Sequence, residues 1–284
     1  MIFIIGLGRS GSGMLMNVLN NHPEIFIDTE INYRFLFKKC IYSELKKIDN
    51  LKRDDNAIKA VELIFSGNIP NSIPIYGEIK FDDFKREFLS SNRTYKSLFE
   101  LLIKLKNVIN NKKRIGAKFP VHFSYLKMLL KWYPESKIIF LTRDPRAVFV
   151  SELKAKRKYT DARQYPIGKN NLFFKWSVLF YVAIQWVWAQ RIYNKYLSEF
   201  DLYLLKYESL VENPIYETKK LCDFLECEFY DYLIDIPVDN SSFNDSISKG
   251  FNKIAIDRWK NEIKKFDKLL VEIITRNQRK KIGY

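Results

Sequence analysis

Histidine and cysteine are scarce in this chain: His22 and His122 are its only histidines, and Cys40, Cys222 and Cys227 its only cysteines, among 284 residues. Cys222 and Cys227 have four residues between them and no histidine nearby. Neither a zinc centre nor a disulfide framework is expected. The sequence becomes apolar and strand-like from Ile2, which leaves no room for the basic and apolar regions of a secretory leader, so a cytoplasmic protein is expected. Nor is there an uninterrupted apolar run of the about 20 residues that a membrane crossing needs. The most apolar stretch, Trp176 to Ala189, is broken by Gln185 and bounded by Lys175 and Arg191. It reads as a buried helix and not as a transmembrane segment, with peripheral membrane contact left open. Acidic residues are also in short supply, with 33 Asp and Glu against 48 Lys and Arg, a net charge of +15. That balance suits an anionic ligand, a nucleic acid or a membrane surface, and equally a solvated basic surface. No nucleic-acid-binding motif accompanies the charge, so no nucleic acid is expected as a partner.

What is present is enough apolar material, 47% of residues, to fill a sizeable core. Ile2 to Ile5 is a continuous apolar run of the kind that forms a strand covered on both faces. A helix follows, stopped at Asn20 to Pro23, and a short strand is expected over Ile25 to Ile27. Residues 31–110 are the least readable, with a helical stretch at Leu98 to Val108. From Ile115 come a strand, a loop and a helix ending near Pro134. "KIIFLT" is a strand, and Asp144 caps a helix that has Pro145 at its first position. A long aromatic helix is predicted from about Leu172 to Leu197, then the strand "DLYLLKY", then a helix from Asn213-Pro214 to Leu225. Strands separated by helices argue for an α/β fold with a mostly parallel central sheet and helices on both faces. No repeat, low-complexity tract or linker divides the chain, and a single domain over 1–284 is expected.

The opening turn "IIGLGRSGSGM" admits several ligands. Gly6, Gly8 and Gly11 match a dinucleotide fingerprint, with Glu30 about twenty positions on as the acid. A nucleotide-triphosphate loop fits less well, because Ser12 and Gly13 stand where its lysine and hydroxyl belong. A third reading uses the N–H groups and positive dipole end of the helix, the charge of Arg9, and the hydroxyls of Ser10 and Ser12. That set suits a phosphate or sulfate held without metal.

"GRSGSG" followed by "NNHPEI" resembles the 5′-phosphosulfate loop of sulfotransferases that use 3′-phosphoadenosine 5′-phosphosulfate (PAPS). "KIIFLTRDPRAVFVS" is similar to that family's 3′-phosphate motif. "KFPVH", "LLKYESLVENP" and "DRWKNEI" resemble three further family stretches, in the family's order. The resemblance implies a P-loop-like sulfotransferase fold, PAPS as donor, 3′-phosphoadenosine 5′-phosphate (PAP) as product and no metal. Residues 31–110 then become a mostly helical insert for acceptor recognition. The implied 5′ contacts are Arg9, Ser10, Gly11, Ser12, Gly13 and Met14, with Gly13 standing where the family usually has a second hydroxyl. Arg143, with Ser151 eight positions later, is implied to grip the 3′-phosphate, Tyr207 to lie near the adenine, and Lys249, Lys253 and Arg258 to close over the nucleotide.

Sulfuryl transfer needs a base for the acceptor and cations near the bridging oxygen. Arg9 is the expected cation, and the resemblance of "KFP" to the family implies Lys118 as a second one near the transferring sulfonate. Glu30, 21 residues beyond Arg9, is favoured as base, because tyrosylprotein and many glycan sulfotransferases resemble this spacing. His122, 21 residues before Arg143, is the alternative, as in small-molecule sulfotransferases. The expected acceptor is a hydroxyl of a saccharide or glycolipid, with a peptide tyrosine or a small alcohol behind it. A dinucleotide-dependent oxidoreductase built on the opening turn, or a non-catalytic nucleotide-binding protein, are the readings from other classes.

Overall fold

The computed structural model describes residues 1–28, 48–65, 80–159, 171–237 and 250–284. Five strands form one sheet: β1 (Ile2–Gly6), β2 (Ile25–Asp28), β3 (Arg114–Lys118), β4 (Lys137–Thr142) and β5 (Leu202–Lys206), in the order β2-β3-β1-β4-β5. β2 pairs with β3 in parallel, Ile25 opposite Arg114, and β4 with β5, Ile138 opposite Leu202. β1 is buried along its whole length and β4 at every position after Lys137. Both are continuous apolar runs, as central strands covered on both faces require.

The helices among the described residues are α1 (Ser12–Asn20), α2 (Asp54–Phe65), α3 (Phe81–Ser90), α4 (Tyr95–Asn110), α5 (Leu126–Trp132), α6 (Pro145–Tyr159), α7 (Leu172–Tyr196), α8 (Tyr207–Glu212), α9 (Pro214–Leu225), α10 (Ile254–Asp257) and α11 (Lys265–Ile282). Their starts follow the local chemistry. Asp144 Oδ1 accepts from the N–H of Arg146 at 2.8 Å with Pro145 at the first helical position, and Asn171 Oδ1 accepts from the N–H of Phe174 at 2.6 Å. Thr94 and Ser97 cap α4 reciprocally. Among the described residues, three short 3₁₀ segments, Pro120–Tyr125, Asp231–Ile234 and Arg258–Asn261, link elements.

Contacts divide the chain into two compact units. One holds Met1–Ile2, Pro23–Phe119 and Lys127–Ser136. There, Phe84 and Phe88 of α3 and Phe99 and Leu102 of α4 are fully buried, and Lys106 Nζ meets the buried Asp28 carboxylate at 3.1 Å. Within residues 31–110, the described residues form α2, α3 and α4.

The other unit holds Phe3–His22, Pro120–Leu126 and Lys137–Tyr284. Its core is built on β4, α6 and α7, with Phe140, Phe149 and Trp186 among its most buried side chains. Emptying a site such as Phe149 by truncation to Ala costs about 3–5 kcal/mol, because a close-packed surround collapses only in part. Phe123 lays its ring edge-on to Trp188 of α7 at 5.1 Å, which anchors the turn Pro120–Tyr125. His22 is buried, its Nε2 3.0 Å from the carbonyl oxygen of Glu228 and its ring edge-on to Tyr230, a structural role.

α7 has the expected extent but not the expected burial. It is 25 residues long, long and apolar enough by length and composition to cross a membrane, and it is buried on one face only.

Candidate functional site

The turn between β1 and α1 is shaped by two glycines. Gly6 has φ of 146°, and a Cβ there would lie 2.1 Å from the carbonyl oxygen of Leu141 on β4. Gly11 has φ of 91° and precedes α1, and a Cβ there would lie 2.5 Å from Cδ2 of Tyr207. Only glycine lets the chain pass both points. Between them Arg9 also takes a left-handed backbone, φ 66°. A non-glycine residue in that region is a strained choice that persists where its surroundings fix it.

α1 starts with no side chain capping it and no acidic residue in its first turn. The N–H groups of Ser12, Gly13 and Met14 belong to that turn and have no partner within the helix. With the positive end of the helix dipole, they make a main-chain anion site. Ser10 is fully buried beside them, and its Oγ has no hydrogen-bond partner.

Arg143 comes to the same place from the end of β4. Its Nη1 donates to the carbonyl oxygen of Arg9 at 3.2 Å and its Nη2 to that of Ala255 at 2.9 Å. Its guanidinium lies 4.0 Å over the ring of Tyr207, the residue that also backs Gly11. The buried Nε of Arg143 makes no hydrogen bond. Ser151, buried on α6, accepts from Nε of Arg9 at 3.2 Å. Arg9, Ser10, Gly11, Arg143, Ser151 and Tyr207 thus form one cluster within a single unit.

A rigid frame holds the arginine. Trp186 Nε1 donates to the carbonyl oxygen of Arg143 at 2.9 Å, and Gln190 Nε2 to Thr142 Oγ1 at 2.9 Å. The N–H of Asp144 donates to Glu208 Oε1 at 3.0 Å, and the hydroxyl of Tyr284 donates to Glu208 Oε2. Burial pushes the Glu208 carboxyl above the usual carboxylate range, against those hydrogen bonds and the nearby Arg143 charge, which pull it down. Asp144 is committed to its helix start and to Arg146, whose guanidinium also meets Glu272 at 2.7 Å and stacks 4.5 Å over Trp259. This agrees with its reading as a cap.

Lys118 ends β3 in the other unit and is buried, 8% exposed. Arg258 is half-buried at the start of the turn Arg258–Asn261, next to the buried Trp259, and Lys253 precedes α10 and is exposed. Glu30 and Lys249 lie outside the described residues, as does the side chain of His122. Sequence reasoning missed Trp186, Glu208, Tyr284 and the Ala255 carbonyl. Of these only Glu208 left a signal, since it follows Tyr207 in the stretch "YESLVENP".

The profile described as "Sulfotransferase family" matches residues 2–231, a span that holds β1, the anion-binding turn, Arg143, Ser151 and Tyr207. The chain belongs to the sulfotransferase family. Its α/β fold with a mostly parallel five-stranded sheet is that of solved sulfotransferases. The sulfotransferase domain from the curacin biosynthetic pathway superposes with a TM-score of 0.62 at 18% identity, over 100% of this chain and 97% of that one. The sulfotransferase domain from the Synechococcus PCC 7002 olefin synthase gives 0.60 at 16% identity, over 100% and 94%. A curated relative from Aquifex aeolicus (strain VF5), described as an uncharacterized protein, is 22% identical over 96% of this chain. The chain spans 31% of that relative's length. Family membership decides among the readings of the opening turn, and a dinucleotide-dependent oxidoreductase is set aside.

The donor of the sulfotransferase family is PAPS. The residues present fit it. The turn offers main-chain donors, and Ser10 Oγ and Arg143 Nε are buried polar atoms with hydrogen-bonding capacity to spare. Among the described residues no group of three or more His, Cys, Asp or Glu side chains is placed to hold a metal ion.

Proposed function

We propose that this chain transfers a sulfuryl group from PAPS to an acceptor hydroxyl, most plainly of a saccharide or glycolipid, as a cytoplasmic enzyme. One observation carries the reading: Arg143 and Ser151, distant in sequence, both bond to Arg9 of the turn. An anion-binding turn alone serves many ligands. An arginine and a serine brought onto that turn from β4 and α6 supply a second phosphate-binding element, which suits a nucleotide bearing phosphate at two positions.

In this reading the N–H groups of Ser12, Gly13 and Met14, with Ser10, hold the 5′ end of the donor, and Arg143 and Ser151 hold its 3′-phosphate. The donor supplies an activated SO3 group whose departure leaves a phosphate oxygen. Arg9, by family resemblance, supplies the charge that offsets that developing negative charge, an electrostatic contribution that a preorganised, partly dry site makes large. Tyr207 walls the turn and stacks beneath Arg143, so it orients the guanidinium as well as the nucleotide. Lys118, by family resemblance, adds a second cation near the sulfonate. Glu30 takes the proton of the acceptor hydroxyl as its oxygen bonds sulfur and the bridging bond to phosphate breaks, with His122 the alternative base.

The spacing from Arg9 to Glu30, similar to that of glycan and tyrosylprotein sulfotransferases, supports a saccharide hydroxyl or a peptide tyrosine over a small alcohol. Incubating the protein with labelled PAPS and a panel of glycans, glycolipids, tyrosyl peptides and small alcohols tests this directly. Label in a saccharide hydroxyl supports the reading. Label confined to tyrosine or small alcohols reassigns the acceptor, and stabilisation by NADH in place of PAP would remove the donor assignment as well.

A further inference from the structure

α7 and α11 carry an apolar surface that neither the sheet nor the anion-binding turn uses. α7 buries Phe174, Val178, Val182 and Trp186 on one face. On the other, Phe173 is 73% exposed, Leu172 60% and Ile184 57%, and Trp176, Phe180 and Trp188 are exposed beside them. Leu172, Trp176, Phe180, Ile184 and Trp188 recur every four residues, with Phe173 beside the first, and so make one stripe, about 24 Å long at the helical rise. Phe266, Leu269 and Ile273 of α11, each more than half exposed, form a second.

The two helices run in the same direction. Lys175 Nζ meets Asp267 at 2.8 Å at their N-terminal ends, and Asn194 Nδ2 donates to Gln278 Oε1 at 3.1 Å toward their C-terminal ends. The ring of Trp176 lies 6.1 Å from that of Phe266, so the stripes meet. Cations border the apolar area. Lys156 of α6 sits 5.5 Å over the ring of Tyr181 on α7, and the exposed sides of α7 and α11 turn basic beyond their apolar parts at Arg191 and Lys195, and at Arg276 and Lys280.

The geometry points to an anionic lipid bilayer as the partner of this face, with α7 and α11 lying in the headgroup region. Exposed apolar residues are ordinary when scattered, whereas a contiguous aromatic area marks an interaction surface. Tryptophan and tyrosine suit an interface that is apolar on one side and wet on the other, and bordering Lys and Arg attract acidic headgroups. A second copy of the chain is disfavoured as the occupant because each copy carries +15. α7 does not cross the bilayer in this arrangement, since Trp186 and Gln190 on its buried face are bonded to Arg143 and Thr142. The inference does not rest on the acceptor or on sulfuryl transfer.

The test is co-sedimentation of the full chain with vesicles of phosphatidylcholine alone and of phosphatidylcholine mixed with phosphatidylglycerol, together with tryptophan fluorescence. The wild type is expected to bind the mixed vesicles with a blue shift and to bind the neutral ones weakly. The double variant Phe173→Gln, Ile184→Gln should bind the mixed vesicles about tenfold or more weakly. Its PAP-induced thermal shift, which reports an intact fold and a separate site, should be kept. The inference is overturned by no binding to the mixed vesicles, by equal binding to both vesicles, or by equal binding of wild type and variant, which would mean charge alone. It is also overturned if the wild type is a dimer in analytical ultracentrifugation and the variant a monomer, which would assign the face to a second copy. A variant with no PAP shift is replaced by Phe180→Gln, read by the same criteria.

Discussion

Nε of Arg9 donates to Oγ of Ser151 at 3.2 Å, across 142 residues of sequence. The first residue sits on the turn after β1 and the second on the first turns of α6. Arg143 completes the set by donating to the Arg9 carbonyl at 3.2 Å. The guanidinium of Arg9 therefore lies beside the residues assigned to the 3′-phosphate.

Arg143→Lys should weaken PAP binding sharply. Lysine keeps the charge but loses the planar fork that bonds Arg9 and Ala255 together and stacks on Tyr207. Loss of a charged hydrogen bond predicts about 1.5–3 kcal/mol, read by calorimetric titration. Wild-type affinity in the variant would remove Arg143 from the phosphate-binding set.

Gly11→Ala should destabilise the protein by more than about 1 kcal/mol, because φ of 91° is unfavourable for alanine and its Cβ meets Tyr207. Truncating Tyr207 to Ala relieves the contact and leaves the backbone strain. The double variant should therefore lose less stability than the two single effects combined, as urea unfolding would show. Strict additivity would mean that the two residues do not press on each other.

Glu30→Gln should lower turnover by about 10²–10⁴ while the PAP-induced thermal shift persists. An unchanged rate, with His122→Gln inactive, would move the base to His122.

Stability should decline above about pH 10. Burial, with Glu217 nearby, pushes the Tyr203 hydroxyl up to about 12, and burial also raises Tyr193 and Tyr284. Each keeps its proton to higher pH in the folded state than in the unfolded one. Their contribution is therefore fully present below the unfolded value and is lost as pH rises through the folded one. Melting temperatures measured from pH 8 to 11 should fall over the upper part of that range, and Tyr203→Phe should soften the fall. A flat profile would contradict the burial of these hydroxyls.

Much of this was legible in the sequence for local reasons. Ile2 to Ile5 and Ile138 to Leu141 are apolar without interruption, which central parallel strands require, and Asp144-Pro145 states a helix start in two residues. Arg9, Arg143 and Ser151 were legible through their motifs. The frame behind them was not, because Trp186 and Tyr284 reach Arg143 and Glu208 only through tertiary packing, which leaves no periodic trace. α7 was half legible. Its apolar residues surround the helix, so the pattern alone does not say that one side is exposed.

The central claim is that one site grips two phosphates of the same nucleotide, and paired titrations with PAP and with adenosine 5′-phosphate test it most directly. The wild type should bind PAP at least about tenfold tighter, consistent with one charged contact set, and the Arg143→Lys, Ser151→Ala double variant should bind the two ligands alike. Equal affinity of the wild type for both nucleotides would contradict the account.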